Sequence, residues 1–488
     1  MKDKEKISSI TEISELVEAK RETFIQASDQ IWGYGETRFE EKKSAALLCE
    51  ILEKEGFKIQ LGLAGMATAF LATYGTEGSV IGFLGEYDAL SGLSQEAGIP
   101  EKRSLSDFSA GHGCGHNLLG VGSLAAAVAL KDYLAMSGEK GCIRYYGCPA
   151  EEGGSGKAFM AREGLFDDLD IALSWHPMNY HTVWSMPTLA NFQAAFRFYG
   201  KSAHAASVPH LGRSALDAVE LMNVGVNYLR EHVVPEARMH YAITNSGGTA
   251  PNVVQAEAEV LYLLRAPKLG QVREIYERVC DVARGAALMT GTRCEIRFEK
   301  GCSNVVPNQT VEEKLYENFQ AFGIPKYTRE ERELAKKFKE TLTEVELKND
   351  ISMSNQFMGG SKITAAQLID QDIPDILFPY TFRSALLPGS TDVGDVSWIV
   401  PTGQVIVGTN VFGTPGHSWQ FTGQGKTSYA HKGMLLAGKI MAKTGLDFLQ
   451  NPEWIEKAKE ELVQNLEGEK YESPIPNEVK PAIPEQKQ

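Results

Sequence analysis

Apolar residues recur at two spacings along the chain, and the two spacings predict different elements. Near the N-terminus Ile10, Ile13, Val17 and Phe24 follow helical spacing, and a second helix is predicted from Glu40 to Lys54. Short apolar runs then alternate with helical stretches. The runs that indicate strands are Val80–Leu84, Cys142–Tyr146, Ile171–Trp175 and Val405–Val407. This alternation predicts an α/β fold with a sheet flanked by helices.

The pattern changes between Thr188 and Ser303. There it indicates strand, helix, strand, strand, helix and strand, over Phe192–Tyr199, Ser214–Glu231, Arg238–Thr244, Ala256–Leu264, Leu269–Met289 and Cys294–Phe298. A βαββαβ order is that of a ferredoxin-like α+β unit. Because α/β sequence flanks it on both sides, we predict a discontinuous larger domain, 1–188 and 304–488, interrupted by an inserted domain, 189–303.

Two further segments are strongly polar. The stretch from Lys326 to Asp350 is almost wholly charged, with sparse Phe and Leu, and predicts a solvated helix with its approach. Pro, Glu and Lys dominate from Glu467 onward, which predicts a poorly packed tail.

Composition narrows the classes of function. The 488 residues carry a net charge of −14, which argues against a nucleic-acid partner because no basic stripe is available to neutralise phosphates. The N-terminus lacks the apolar stretch of a signal peptide, and no run of roughly 18 apolar residues predicts a membrane span. Seven scattered cysteines, an odd number, do not resemble a disulfide framework. We therefore expect a cytoplasmic protein with no membrane partner.

Metal-type ligands follow the four predicted strands. In open α/β sheets, ligands bind beyond the carboxyl ends of the strands. The residues that follow the four runs, in chain order, are Glu86 with Asp88, Glu151 with Glu152, His176, and His417. Together they predict a cluster of acids and histidines at one edge of one sheet.

A fifth candidate is the segment Gly111-His112-Gly113-Cys114-Gly115-His116-Asn117, which precedes an apolar helix. Its glycines permit tight folding, and a helix N-terminus favours a thiolate. Cys114 and His116 could both face one metal ion, and zinc prefers such N and S ligands. The alternative is that Cys114 is a small buried hydrophobe and that the histidines bond backbone carbonyls.

The adjacent carboxylates Glu151 and Glu152 suggest a division of roles. Neighbouring residues point in different directions, so one can bind a metal while the other acts as a base. A solvated acidic turn is the alternative.

Three residues of the inserted unit could contact a ligand. His204 lies in a small-residue loop, Asn252 follows a Gly-rich turn, and Arg265 ends a strand. A guanidinium binds a carboxylate through two hydrogen bonds, so Arg265 with Asn252 suits a substrate carboxylate. Each could equally be a turn residue or a surface cation.

Four motifs in this order resemble one family over about Glu12 to Phe448. They are His-Gly-Cys-Gly-His-Asn, Pro-Ala-Glu-Glu-Gly-Gly, Gly-Lys-Ser-Ala-His-Ala and Gly-Ser-Thr-Asp-Val-Gly-Asp-Val-Ser-Trp. The family is that of the aminoacylase and glutamate carboxypeptidase metallopeptidases, in the branch that contains indole-acetyl-amino-acid hydrolases. The resemblance implies a dinuclear-metal catalytic α/β domain and an inserted ferredoxin-like lid that also dimerises.

The resemblance also implies a role for each residue. Cys114 falls on the bridging metal ligand, Glu151 on the general base, and Asp88 on the carboxylate that orients the metal site. The other implied ligands are His116, Glu152, His176 and His417. The implied substrate contacts are His204, which reaches across a dimer, Asn252 and Arg265. The branch usually has Asp where this chain has Glu86, so Glu86 receives no role.

The implied activity is that of a metal-dependent amidohydrolase or carboxypeptidase acting on an N-acyl or N-aroyl amino acid, p-aminobenzoyl-glutamate among them. Two divalent ions, manganese or zinc, are expected per chain, in a homodimer or a hetero-oligomer with a related chain. The alternatives are a dipeptidase for β-alanyl or lysyl dipeptides, a thiol hydrolase with Cys114 as nucleophile, and a non-catalytic partner of a sister chain.

Overall fold

A computed structural model describes residues 2–106, 109–358, 363–382 and 385–484. The helices of these ranges are α1 Lys2–Ala19, α2 Arg21–Tyr34, α3 Lys42–Lys54, α4 His116–Ser137, α5 Gly156–Arg162, α6 Ala215–Leu229, α7 Leu269–Thr290, α8 Gln309–Phe322, α9 Arg329–Lys339, α10 Glu344–Met358, α11 Ala365–Asp370, α12 Val393–Ser397, α13 Trp419–Gln424, α14 Ser428–Gln450 and α15 Pro452–Asn465. The strands are β1 Lys58–Leu61, β2 Phe70–Tyr74, β3 Val80–Glu86, β4 Cys142–Cys148, β5 Ile171–Met178, β6 Thr182–Trp184, β7 Ala190–Tyr199, β8 Arg238–Asn245, β9 Glu257–Ala266, β10 Arg293–Cys302 and β11 Thr402–Gly408.

The larger sheet has seven strands in the order β1-β2-β4-β3-β5-β11-β6. Its four central strands, β4, β3, β5 and β11, run parallel, and the outer strands are antiparallel. The four predicted apolar runs lie in these central strands, so the predicted mixed sheet flanked by helices is confirmed. Parallel strands all end at the same edge, so the residues that follow them converge there.

Helix α4 packs against this sheet and against α14. By length and composition it could cross a membrane, but 83% of its most apolar window is buried inside the protein, as in a core helix. Two glycines allow the close packing. A Cβ at Gly122 would lie 2.6 Å from the Trp175 ring nitrogen, and one at Gly120 would lie 2.6 Å from the Glu86 carbonyl oxygen.

A second sheet has four antiparallel strands in the order β10-β7-β9-β8. Helices α6 and α7 cover it and share with it a separate apolar core. The βαββαβ order expected between Thr188 and Ser303 is therefore the observed order. The domain boundaries at 188/189 and 303/304 stay predictions.

Two expectations about polar segments need correction. The helix expected in 326–350 is present as α9, followed by the start of α10, but it is not wholly solvated, because Ala335 and Phe338 are buried in the main core. The tail after Glu467 is also packed, because Ile475 is buried among apolar residues of the larger domain and Tyr471 donates a hydrogen bond to Asp395 at 3.1 Å. In both cases a few well-placed apolar side chains fix a segment that composition marks as solvated.

Candidate metal centre

The strand ends bring five ligand-type side chains into two triads that share one residue. Cys114, His116 and His176 offer ligand atoms within 4.8 Å of one another, and so do Cys114, Glu152 and His417. The Cys114 sulfur therefore lies where it could contact two ions at once. This grouping places the five predicted ligands in one cluster.

The loop before α4 sets the first triad. Gly115 adopts a left-handed backbone (φ 76°), which ends the loop and starts the helix at His116. His176, near the end of β5, donates its Nδ1 hydrogen to the Pro177 carbonyl at 2.9 Å. Its Nε2 then faces the Cys114 sulfur at 3.6 Å and keeps its lone pair for a metal.

The second triad depends on two loops. His417 is the exposed member, with a left-handed backbone (φ 53°), and its amide donates to the Gly113 carbonyl at 3.0 Å. Its Nε2 lies 3.5 Å from the Glu152 carboxylate. The loop that carries His417 is thus tied directly to the loop that carries Cys114.

Asp88 accepts a hydrogen bond from one member of each triad. Its Oδ1 accepts from His116 Nδ1 at 2.8 Å, and its Oδ2 accepts from the Glu152 amide at 2.9 Å. Burial opposes ionisation of Asp88, but His116 beside it holds the pKa of the carboxyl below its ordinary value. A charged Asp88 fixes the His116 ring so that Nε2 points at the site.

The unpaired atoms of the cluster fit a divalent cation. Glu152 Oε1 is buried without a hydrogen-bond partner among the described residues, and His116 Nε2, which also forms no hydrogen bond there, has the Glu86 carboxylate 3.2 Å away. Buried polar atoms are normally paired by hydrogen bonds, so these two atoms in one cluster indicate a missing ligand. Cysteine, histidine and carboxylate donors suit zinc, and the carboxylate also tolerates manganese.

Glu151 lies beside the triads but in a different group. Its carboxylate lies within 4.8 Å of ligand atoms of Glu86 and His116. Burial and the nearby charges of Glu86 and Glu152 raise the pKa of Glu151 well above its ordinary value. A raised pKa makes this carboxylate a stronger proton acceptor, which is what a general base requires.

Sequence reasoning missed a buried charge network next to this group. Lys157 has no solvent exposure, and its Nζ lies 2.5 Å from Glu86 Oε1 and 2.7 Å from Asp392 Oδ1. Glu86 Oε2 in turn lies 3.2 Å from His116 Nε2. Glu86 is therefore an ion-pair partner beside the metal cluster. The sequence signal that could have indicated this network is a lone Lys within the apolar helix α5.

The inserted unit contributes one residue to this neighbourhood. Arg265 donates to Ser390 Oγ at 2.7 Å, and it is close enough to interact electrostatically with Glu151. His204 and Asn252 are exposed and adjacent, since the Ala205 amide donates to the Asn252 carbonyl at 3.0 Å. Neither belongs to a metal-type group within the described part of this chain.

A cavity of about 470 Å³ opens directly beside the triads. Cys114, His176 and His417 form part of its lining, and α10 forms one wall. A ligand held in this cavity would therefore lie against the cluster.

An α/β sheet with two candidate metal-binding triads that share a cysteine at its carboxyl edge, next to a buried acid, is the arrangement expected of a metal-dependent hydrolase. A profile of the family described as Peptidase family M20/M25/M40 matches residues 82–395. The chain belongs to this family, whose activity is hydrolysis of amide bonds, and the resemblance drawn from the four motifs is confirmed.

Individual proteins similar to this chain include two curated relatives and one solved structure. One of the two subunits of the p-aminobenzoyl-glutamate hydrolase of Escherichia coli is 48% identical over 471 residues, covering 96% of this chain and 98% of that protein. The Xaa-Arg dipeptidase of Mus musculus is 28% identical, over 93% and 92% of the two chains. A dinuclear metal-binding peptidase of Bacillus subtilis shares the fold, with a TM-score of 0.54, 17% identity, and coverage of 89% and 99%.

Proposed function

We propose that this protein hydrolyses the amide bond between an aroyl group and an amino acid, with p-aminobenzoyl-glutamate as the preferred substrate. The observation that carries the proposal is the pair of triads sharing Cys114 beside Glu151. The 48% identity to a p-aminobenzoyl-glutamate hydrolase chain over nearly the whole length supports the choice of substrate.

The chain's own residues have separate roles in the proposed hydrolysis. Two divalent ions, when bound, supply a water of lowered pKa and polarise the amide carbonyl. Glu151 takes the proton from the attacking water and later delivers it to the nitrogen of the leaving amino acid. Its raised pKa lets it hold that proton between the two steps. Asp88 holds His116, and with it the geometry of the first triad.

Arg265 is proposed to bind the substrate carboxylate. Its burial lowers the pKa of the guanidinium, yet the group stays charged at any ordinary pH. Its partner in this structure is the neutral Ser390 hydroxyl, which a substrate carboxylate can replace with a stronger charge-assisted pair.

His204 and Asn252 are proposed to act on the active site of a second protomer. The inserted domain offers a docking surface for this role, since Tyr241 and Ile243 on the edge strand β8 and Tyr228 on α6 are exposed. An exposed edge strand is available for pairing with another chain. Both a homodimer and a hetero-oligomer fit, and the second is supported by the Escherichia coli relative, which is named as one of two different subunits.

Complementation tests this shared site. His204→Ala and His417→Ala are each expected to be inactive, but mixed and reassembled they should regain up to about a quarter of wild-type activity, because one site in a mixed dimer is intact. Two His417→Ala preparations, mixed in the same way, are the control. Absence of any recovery, with mixed dimers demonstrated, would refute a contribution of His204 to the partner's site.

Burial of the Cys114 thiol disfavours the thiol-hydrolase alternative. Burial raises the pKa of the Cys114 thiol, so without a metal the nucleophilic thiolate is scarce. Manganese and zinc both remain proposals for the metal. We also propose a reducing, cytoplasmic setting, which agrees with seven free cysteines.

Metal analysis with a hydrolysis panel tests the function. Protein reconstituted with manganese or zinc and desalted should hold close to two equivalents and cleave p-aminobenzoyl-glutamate. A strong chelator should abolish activity, and re-addition should restore it. Unaffected activity in the chelator would refute the metal mechanism. Because one relative is a Xaa-Arg dipeptidase, lysyl-arginine belongs in the panel, and a higher kcat/KM on it would favour the dipeptidase alternative.

A further inference from the structure

The cavity beside the metal centre has apolar walls suited to a flat ring. Met178 and Tyr180 come from the end of β5 and the turn after it, Met353 comes from α10, and Phe421 comes from α13. Thioether and aromatic groups make favourable contacts with an aromatic ring. Because Cys114, His176 and His417 also line the cavity, a ring held there would lie next to the scissile amide.

One carboxylate interrupts these apolar walls. Asp350 of α10 lines the cavity, and its Oδ2 accepts from Asn179 Nδ2 at 3.1 Å and from the Gly413 amide at 3.0 Å. Asn179 follows His176 by three residues and Gly413 precedes His417 by four. Asp350 is therefore held by the turn that follows the strand of His176 and by the loop that carries His417, at a defined place relative to the site.

The second oxygen of Asp350 is available to a ligand. Both hydrogen bonds that Asp350 accepts from described residues go to Oδ2, and no Lys or Arg of the described ranges forms an ion pair with it. Burial raises the pKa of Asp350 to about 6, so the group is an ionised acceptor at neutral pH. A desolvated carboxylate without a cation gains from any donor that a ligand supplies.

We propose that this cavity is the acyl pocket and that Asp350 selects an aromatic acyl group carrying an amino substituent, by accepting a hydrogen bond from that amine. The inference rests on the proposed function, since it identifies which half of the substrate the cavity holds. Asp350 is a specificity-determining residue in this scheme, and the bond-breaking chemistry stays with the metal cluster and Glu151.

Binding of small acids tests the pocket without any hydrolysis. In the metal-loaded full chain, calorimetry should give an affinity for p-aminobenzoate about ten- to hundredfold above that for p-toluate, which has a methyl group of similar size in place of the amine. That range corresponds to one hydrogen bond to a charged group. Equal affinities in the wild type would overturn the proposal without recourse to any variant. Tighter binding of 6-aminohexanoate than of p-aminobenzoate would also overturn it, in favour of an alkyl ammonium.

Asp350→Asn should remove the preference. The variant keeps an oxygen for Asn179 and Gly413 but replaces the other oxygen with an amide NH₂, which cannot accept from the ligand's amine. The affinity ratio of p-aminobenzoate to p-toluate should fall to about one. The matched control is Glu344→Gln, which removes a charge from an exposed position of the same helix, where Glu344 pairs with Lys348 at 2.6 Å. An unchanged ratio in Asp350→Asn would contradict the assignment.

Hydrolysis assays then distinguish failure of the acyl-pocket assignment from failure of the proposed function. The kcat/KM ratio of p-aminobenzoyl-glutamate to p-toluoyl-glutamate should fall about tenfold or more in Asp350→Asn. Binding preference without hydrolysis of either compound would refute the proposed function and support the pocket. Hydrolysis of both at equal rates in the wild type would support the function and refute the pocket.

Discussion

Replacing Lys157 with methionine should destabilise the protein strongly. The ammonium is fully buried, 2.5 Å from Glu86 and 2.7 Å from Asp392, and Met fills the same space without charge. The variant leaves two buried carboxylates without their cation. Removal of one member of a buried ion pair costs about 3–5 kcal/mol, because the remaining charge is uncompensated. Burial raises the pKa of Asp392, so proton uptake at low pH should reduce this cost.

The assay can follow the larger domain alone. The six tryptophans of the chain all lie outside 189–303, so their fluorescence during urea unfolding of the metal-free protein reports on the catalytic domain. Lys131→Met is the matched control, because Lys131 also contacts two carboxylates, Glu55 at 3.0 Å and Asp132 at 2.5 Å, but the side chains of these partners are 20% and 19% exposed to solvent. It should cost about 1 kcal/mol or less.

A second variant tests the cause of the loss. Adding Asp392→Asn to Lys157→Met removes one of the unpaired charges and should recover part of the lost free energy of unfolding. Equal destabilisation by Lys157→Met and Lys131→Met would refute the reasoning, and so would a double variant less stable than Lys157→Met.

Three further predictions follow from the site, and a fourth follows from Glu312, a buried carboxyl of α8 outside it. Glu151→Gln should keep two metal equivalents but lower kcat about a hundredfold or more, as expected for loss of a general base. Glu152→Gln should also lose metal, as expected for loss of a ligand. Equal metal loss in both variants would contradict this assignment of the two roles. Cys114→Ala should retain close to zero equivalents after desalting, because both triads lose a ligand; retention of one ion would show that the sulfur is not shared. Arg265→Ala should lower kcat/KM about ten- to hundredfold on substrates with a free carboxylate, but little on their amides. Burial raises the pKa of Glu312 to about 8, above its value in the unfolded chain, so the free energy of unfolding falls as pH rises from about 4.5 to 8. Glu312→Gln should therefore raise the free energy of unfolding more at pH 8 than at pH 5. An equal effect at the two pH values would contradict the raised pKa.

The convergence of the ligands was predictable because it depends only on strand direction. Glu152, His176 and His417 each come after a buried apolar run, and parallel strands place such residues at one edge. The order of the inserted unit was predictable for a similar reason, since alternation and helical spacing change clearly between 188 and 303. Local periodicity was enough for both.

The buried ion pairs were not predictable in the same way. Lys157 pairs with Glu86 and with Asp392, residues 71 and 235 positions away in the chain, and no periodicity links such charges. The role of Asp350 was not predictable for another reason, because Asp350 is the last residue of a charged segment that composition predicts to be solvated. Its place on a cavity wall depends on how α10 packs, which local pattern does not encode.

The sharing of Cys114 has a consequence for the order in which the centre can form during synthesis. The first triad is complete once residue 176 has been made, whereas the second needs His417, which follows the whole inserted domain. The chain segment that must close is therefore far longer for the second ion than for the first. A chain that ends before residue 417 lacks one ligand of the second triad, so binding of a second ion would require the chain to be synthesised and folded through β11 and the loop that follows it.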